Sequence, residues 1–368
     1  MSELKVDKVS PRTGTYVSLN TVGSKNIVIN GDMSVAQRST SVAGITGTGY
    51  NTVDRFRILM TTAGTWTQSQ STDTPSGQGF ATSLKMDCTT ANGSLSANSR
   101  IVISQNIEAQ NLQYLKKGTA SAESTTLSFW VKSNKTGTYT AEIYDADNDR
   151  QISKTYTIDS ASTWEKKTIT YAGDTTGTLN NDNGIGLSLF LWLSAGTDYT
   201  SGTLNTSWNA STTADRASSS QVNLADSTAN EWYITGVQLE AGTTASDFEF
   251  LPYDVNLARC YRYYFDTGSA VNQGGTLTGG FWFKAFNANE AAGYNSLPAT
   301  MRTAPTIVCS DSAGATGKLH RAAVGNVGTS ITFGNVSRNA VAACNETGVF
   351  NTTNPNLYIG RIKADAEL

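Results

Sequence analysis

Leu187-Ser188-Leu189-Phe190-Leu191-Trp192-Leu193 is a run that alternates and yet has no polar side. In a strand, successive side chains point to opposite faces, so the four leucines share one face while Phe190 and Trp192 share the other. A strand apolar on both faces belongs in the middle of a sheet, where one side meets the core and the other is covered or forms a binding floor. Working outward, Val53–Leu59, Trp66–Gln70, Ala81–Met86, Ile101–Gln105, Thr126–Lys132, Thr138–Tyr144, Glu165–Tyr171 and Trp232–Leu239 also read as strands. Turn-forming stretches at 134–137, 145–149, 173–177 and 180–184 separate several of them. Strand follows strand with no βαβ alternation, which predicts an all-β, antiparallel jelly-roll sandwich over residues 27–253. Ile107–Lys117 is expected to hold a short helix or turn with Leu112 and Leu115 inward, and 202–230 a long loop rich in Ser, Thr, Ala and Asn.

Composition agrees. The chain has 368 residues, 38% hydrophobic and 15% charged, with 33 Gly against 6 Pro. That mix suits short strands and tight turns, and the length allows two or three domains. A net charge of −3 argues against a nucleic-acid partner. The single histidine, His320, removes multi-histidine metal sites and is read as a surface residue. Cys88, Cys260, Cys309 and Cys344 stand far apart with no C-x-x-C pair, so buried thiols are expected before zinc ligands or disulfides. The opening residues lack an apolar signal core, and no window approaches a membrane span; the expectation is a protein made in a cytoplasm without membrane insertion.

The flanks differ from the centre. Residues 1–26 read as a small hairpin-like unit around Pro11-Arg12-Thr13-Gly14, too short to bury a core alone. After Pro252, Leu257, Cys260, Tyr261 and Tyr264 are spaced as one face of a short helix. β patterning then returns at Phe281–Phe286, Thr306–Cys309, Thr329–Phe333 and Leu357–Ile362, predicting a smaller C-terminal β domain within 254–368. No repeat of propeller or β-helix length occurs.

Catalytic patterns are absent. Asp145-Ala146-Asp147-Asn148-Asp149 begins like a calcium loop, but Arg150 stands where Gly is required and Tyr156 where Glu is required, so an acidic hairpin tip is expected. Gly314–Lys318 is too short for a phosphate-cradling loop. Glu231, Glu240, Asp247 and Glu249 supply carboxylates without a spacing that marks a glycosidase pair. The reading is of a non-enzyme needing no metal or cofactor. Aromatic residues say more: 7 Trp, 15 Tyr and 12 Phe can stack on pyranose rings while amides and carboxylates bond the hydroxyls. The candidates are Trp130 and Trp192, opposite the core side of their strands, Trp208 in the long loop, and Trp282, expected to point away from a core that takes Phe281 and Phe283.

Several strings go further. Ile29-Asn30-Gly31-Asp32-Met33 with Gln37-Arg38, Tyr50–Phe56, Leu127–Thr140, Tyr156–Thr178, Tyr233–Tyr264, Met301–Pro305 and Ala364–Leu368 together resemble bacteriophage tail-fibre and related virion-appendage proteins. The central part is similar to carbohydrate-binding-module jelly rolls, which implies two facing sheets and a sugar groove. Residues 1–26 resemble short virion-anchoring pieces. The resemblance implies a homotrimer, attached through its N-terminus to other virion proteins and presenting β domains to a host-surface polysaccharide. Two alternatives stand beside it: a purely structural virion protein (head fibre, capsid decoration or tail adaptor), and a polysaccharide-degrading enzyme.

Overall fold

β11 (Ile185–Ala195), the strand that contains the leucine run, is the fourth of seven in its sheet. The computed structural model describes residues 24–268, 271–273, 276–278, 280–310, 316–321, 325–350 and 357–368, so all but the last three residues of the 1–26 unit lie outside it. The seven-stranded sheet runs β12 (Asn209–Ala210), β9 (Arg150–Ile158), β8 (Gly137–Asp145), β11, β6 (Arg100–Glu108), β3 (Arg57–Thr61), β2 (Gly49–Tyr50). Facing it is a six-stranded sheet, β1 (Ser41–Ile45), β4 (Thr65–Ser71), β5 (Ser83–Thr90), β13 (Glu231–Ala241), β7 (Thr125–Ser133), β10 (Glu165–Tyr171). From β5 to β8 and again from β9 to β11 the chain crosses between the sheets, and β13 inserts between β5 and β7. This crossing order makes the unit an antiparallel jelly roll.

The core explains the pairing. Leu187, Leu189, Leu191 and Leu193 face Leu127, Phe129 and Val131 of the other sheet, with Trp66, Trp232, Tyr139 and Tyr171 filling the ends. Each large apolar side chain so buried contributes about 1.5–3 kcal/mol. Ala109–Leu115 is a short 3-10 helix with Leu112 and Leu115 inward, as its spacing predicts. β1 and β9 escaped the reading, along with the two-residue β2 and β12; in β9 the polar face is itself covered, since Gln151 and Ser153 are buried under the 203–216 stretch. The string at 53–56 is a turn instead of the start of a strand, with Arg55 at φ 73°.

Two ionic centres are built into the fold. At the 145–150 hairpin, Lys117 lies 3.1 Å from Asp145 and 2.9 Å from Asp174, all three buried, and Arg150 bonds Asp174 at 2.8 Å. Asp145 also accepts from the Asp147 and Asn148 amides, so the resemblance to a calcium loop ends in a hairpin closed on a lysine.

The second centre joins the C-terminal unit to the jelly roll. The helix Tyr253–Tyr261 sets Cys260 against Ile29 and Val35 and ends before Tyr264, which opens a strand. Strand Leu357–Asp365 pairs with Tyr264–Asp266, Thr306–Ser310, Phe281–Asn287 and Leu319–Arg321; beyond it lie Glu290–Ser296, Ala340–Asn345 and Thr332–Val336. Phe281 and Phe283 point into this unit's core and Trp282 points away, as read from alternation. His320 is buried at 7% exposure, which corrects its reading as a surface residue: its strand lies inside the sheet, between Leu357–Asp365 and Gly325–Val327. All four cysteines are buried and form no disulfide. Across the junction, Arg55 is 1% exposed, pairs with Glu367, donates to the Asn106 carbonyl at 2.6 Å and lies 3.4 Å from the Tyr263 ring centroid. Glu108, fully buried, accepts from Arg262 at 2.7 and 2.6 Å and from the Tyr263 hydroxyl at 2.6 Å.

Two outcomes follow. Burial pushes the Asp174 carboxyl up, but hydrogen bonds from Arg150 and Lys117 outweigh it and bring its pKa down to about 2. A depressed carboxylate contributes stability above its unfolded pKa, near 3.9, and loses it as pH falls toward 2. Melting temperature should therefore drop through that window, and Asp174→Asn should be less stable at neutral pH with a flatter acid limb; an unchanged limb would contradict this. Glu367→Ala strands a buried guanidinium and should lower the unfolding free energy in urea by about 3–5 kcal/mol; a loss below about 1 kcal/mol would mean that water reaches Arg55.

Candidate functional site

The jelly roll's obvious binding floor is closed. Phe190 and Trp192 lie on the outer face of the seven-stranded sheet, where the segment after β11 folds back over them with Tyr199 and Ala217. Trp192 is 1% exposed: its Nε1 donates to Glu142 at 2.8 Å, and its ring centroid is 5.1 Å from that of Tyr199. Arg216 seals the cover, pairing with Glu142 at 2.8 Å and lying 5.0 Å from the Phe190 ring and 5.5 Å from Trp192. Glu142 is itself fully buried; burial raises its carboxyl above the usual range, and Arg216 offsets this only in part. The expectation that Trp192 offers a ring to a ligand is corrected by this cover, which the sequence shows only as a long polar loop.

Trp208 is half-buried at the other end of that loop. Its Nε1 donates to the Ala172 carbonyl at 2.7 Å, and its ring sits 4.0 Å from the Lys117 ammonium, roofing the ionic centre. Trp130 is half-buried on the outer face of the six-stranded sheet, between Lys166 and Thr235. One strand position along, Lys132 pairs with Asp73 and lies 4.3 Å from the Tyr233 ring and 5.6 Å from Trp164. The three jelly-roll candidates therefore sit on separate surfaces and share no site.

Trp282 stands elsewhere, and it has company. It is 36% exposed on the outer face of the C-terminal sheet, with Phe286 at 73% on the same strand and Tyr294 at 78% on the neighbouring one. Alternation places Trp282, Lys284 and Phe286 on one side, and Lys284 pairs with Ala292, two residues before Tyr294. The Asn295 amide clamps the Trp282 main chain at 2.9 and 3.0 Å, fixing the two strands where the rings emerge. Phe286, the second outward position beyond Trp282 after Lys284, follows from the same alternation. Tyr294 does not, because its strand is a Gly/Ala/Asn stretch with weak β preference.

A groove of about 800 Å³ opens between the two units. Its floor is the sheet face of Thr306, Val308, Lys363 and Asp365, and Arg38 and Tyr50 of the jelly roll form a wall. The Arg38 guanidinium lies 3.6 Å from the Tyr264 ring centroid and 5.1 Å from Tyr50, and pairs with Asp365 at 3.1 Å and Glu367 at 3.5 Å. Burial raises both phenols, keeping them neutral donors at ordinary pH. The two carboxylates that line the groove, Asp365 and Glu367, are both engaged by arginine. Glu231 is held by Lys85 at 2.8 Å, Glu240 by Ser246 at 2.6 Å, and Glu249 by the Asn26 amide at 2.9 Å. Among the described residues, no group of three His, Cys, Asp or Glu side chains is placed to hold a metal ion.

No protein-family model matches the chain, and no curated protein matches it. Solved structures do. The enzymatically active domain of tailspike protein 4 from bacteriophage CBA120 aligns at 14% identity and a TM-score of 0.30, over 59% of this chain and 21% of that one. The N-terminal cellulose-binding domain of Cellulomonas fimi β-1,4-glucanase C aligns at 12% and 0.28, over 57% of this chain and 100% of that one. A putative sugar-binding protein from Bacteroides thetaiotaomicron aligns at 10% and 0.30, over 59% and 100%. The chain thus spans about a fifth of the tailspike structure, and at these values the jelly-roll assignment rests on its own strand order.

Since Trp192 is core, Trp192→Ala should reduce stability by about 3–5 kcal/mol in urea denaturation. A loss under about 1 kcal/mol would show that the 196–217 cover opens readily and leaves the ring free.

Proposed function

We propose that this chain is a non-enzymatic bacteriophage appendage protein that presents its C-terminal sheet to a host-surface polysaccharide. The observation that carries the reading is the exposed aromatic face of Trp282, Phe286 and Tyr294 on a sheet whose inner side is fully packed. Aromatic faces on a rigid sheet match the apolar faces of pyranose rings. The strings resembling virion appendages support a place on the particle, with residues 1–26 as anchor and the homotrimer as the assembled form. Trimerisation suits weak sites: a millimolar contact is worth about −4.1 kcal/mol, and linked sites gain roughly 10² to 10⁴ in avidity. No described helix is long and apolar enough to cross a membrane.

The covered floor of the jelly roll favours one other reading, a purely structural virion protein whose tip rings pack on a neighbouring protein. Binding of the labelled full chain to host cells and to an oligosaccharide array separates the two. Phe286→Ala with Tyr294→Ala should lower retention about tenfold or more, each ring being worth about 0.5–1.5 kcal/mol, while folding stability changes by no more than about 0.5 kcal/mol per exposed site. Retention unchanged by the double variant would favour the structural reading.

A further inference from the structure

The groove between the units has a charge balance that its chain does not. The whole sequence carries a net charge of −3. In the groove both carboxylates are already answered, Asp365 by Arg38 and Glu367 by Arg55 and Arg38. Two cations remain. Arg302 donates only to main-chain carbonyls, those of Ala366 at 2.9 Å, Glu367 at 3.1 Å and Asn183 at 3.2 Å, and the carboxylate whose charge reaches it, Glu108, is already held by Arg262. Lys363 is half-buried on the floor and has no hydrogen-bond or ion-pair partner among the described residues. Arg38 on the wall keeps Nη1 buried and unpartnered. The carboxylates beside Lys363 in the sheet, Asp266 across from it and Asp365 along its strand, are held by Arg361 and Arg38, so its ammonium is left to a ligand, and a concave wall focuses its field.

The remaining lining suits a hydroxyl-rich ligand. Ser39, Asn51, Thr303 and Thr306 supply hydroxyls and an amide along the groove, while Val308, 40% exposed beside Lys363, provides an apolar patch. The volume lies within the range of small-ligand sites. We propose that this groove binds an acidic oligosaccharide, a carboxylate-bearing pyranose chain whose carboxylate is held by Lys363 in the field of Arg302. The site is separate from the aromatic face of the C-terminal sheet and does not depend on it. Its rigidity comes from the junction: Arg302 and Glu367, which also hold the two units together, fix the groove's end.

Isothermal titration calorimetry on the full chain tests this with hexagalacturonate, maltohexaose and an oligoglutamate of equal length as probes. The expected result is saturable binding of hexagalacturonate that weakens with added salt, with maltohexaose and oligoglutamate at least tenfold weaker. Lys363→Glu should reduce affinity about tenfold or more with an unchanged melting temperature, and Lys363→Arg should retain it. The Phe286→Ala, Tyr294→Ala double variant should bind hexagalacturonate like the parent. Failure of hexagalacturonate to saturate, equal binding of maltohexaose, or an unaltered Lys363→Glu affinity would overturn the site. Equal binding of oligoglutamate would overturn the sugar assignment, and loss of binding in the double variant would overturn the location.

Discussion

A guanidinium with 1% exposure cannot stay buried without a carboxylate, and for Arg55 that carboxylate is Glu367, more than three hundred positions away in sequence. This one pair sets much of the rest. It forces the end of the chain's last described strand onto the jelly roll, which places the groove between the units and aims the C-terminal sheet away from them. It also accounts for Arg55's left-handed backbone, φ 73°, a conformation a long side chain adopts only where its surroundings hold it. Several of the strings that resemble virion appendages gather around it. Asn30 and Asp32 accept from Asn256; Arg38 lies on Tyr264; Arg55 lies on Tyr263; Arg302 grips residues 366 and 367. Scattered from residue 29 to residue 368, they form one polar joint. The other strings, Leu127–Thr140 and Tyr156–Thr178, lie in the jelly-roll sheets instead.

Legibility followed the physics of each segment. β11 was readable because it is apolar on both faces, and the structure puts it at the centre of its sheet. The Trp282 run was readable because its inner face is strictly apolar. β9 was hidden: Gln151 and Ser153 are buried through hydrogen bonds to the covering loop, so polarity there does not mark solvent. Glu290–Ser296 and Ala340–Asn345 are strands of small residues, held by their neighbours more than by their own preference.

The candidate site was legible in part, for a related reason. Alternation tells which side of a strand a tryptophan takes, but not what else covers that side. Trp130, Trp192 and Trp208 were read correctly as off the core face or in the loop. For Trp192 a segment of Ser, Thr, Ala and Asn closes over the ring, anchored by the Arg216–Glu142 pair that spacing does not reveal. Trp282 keeps 36% of its surface exposed. The groove was invisible in the sequence, since its floor and walls come from residues near 38, 50, 302, 306 and 363.

In the proposed function the jelly roll positions and the C-terminal sheet recognises. Hydrogen–deuterium exchange of the full chain, with and without the oligosaccharide best retained on an array, tests that division most directly. New protection within 281–296, with β11 and its 196–217 cover unchanged, is the predicted result. Protection appearing at 140–144 and 187–217 instead, with 281–296 unaffected, would place the ligand on the jelly roll and contradict it.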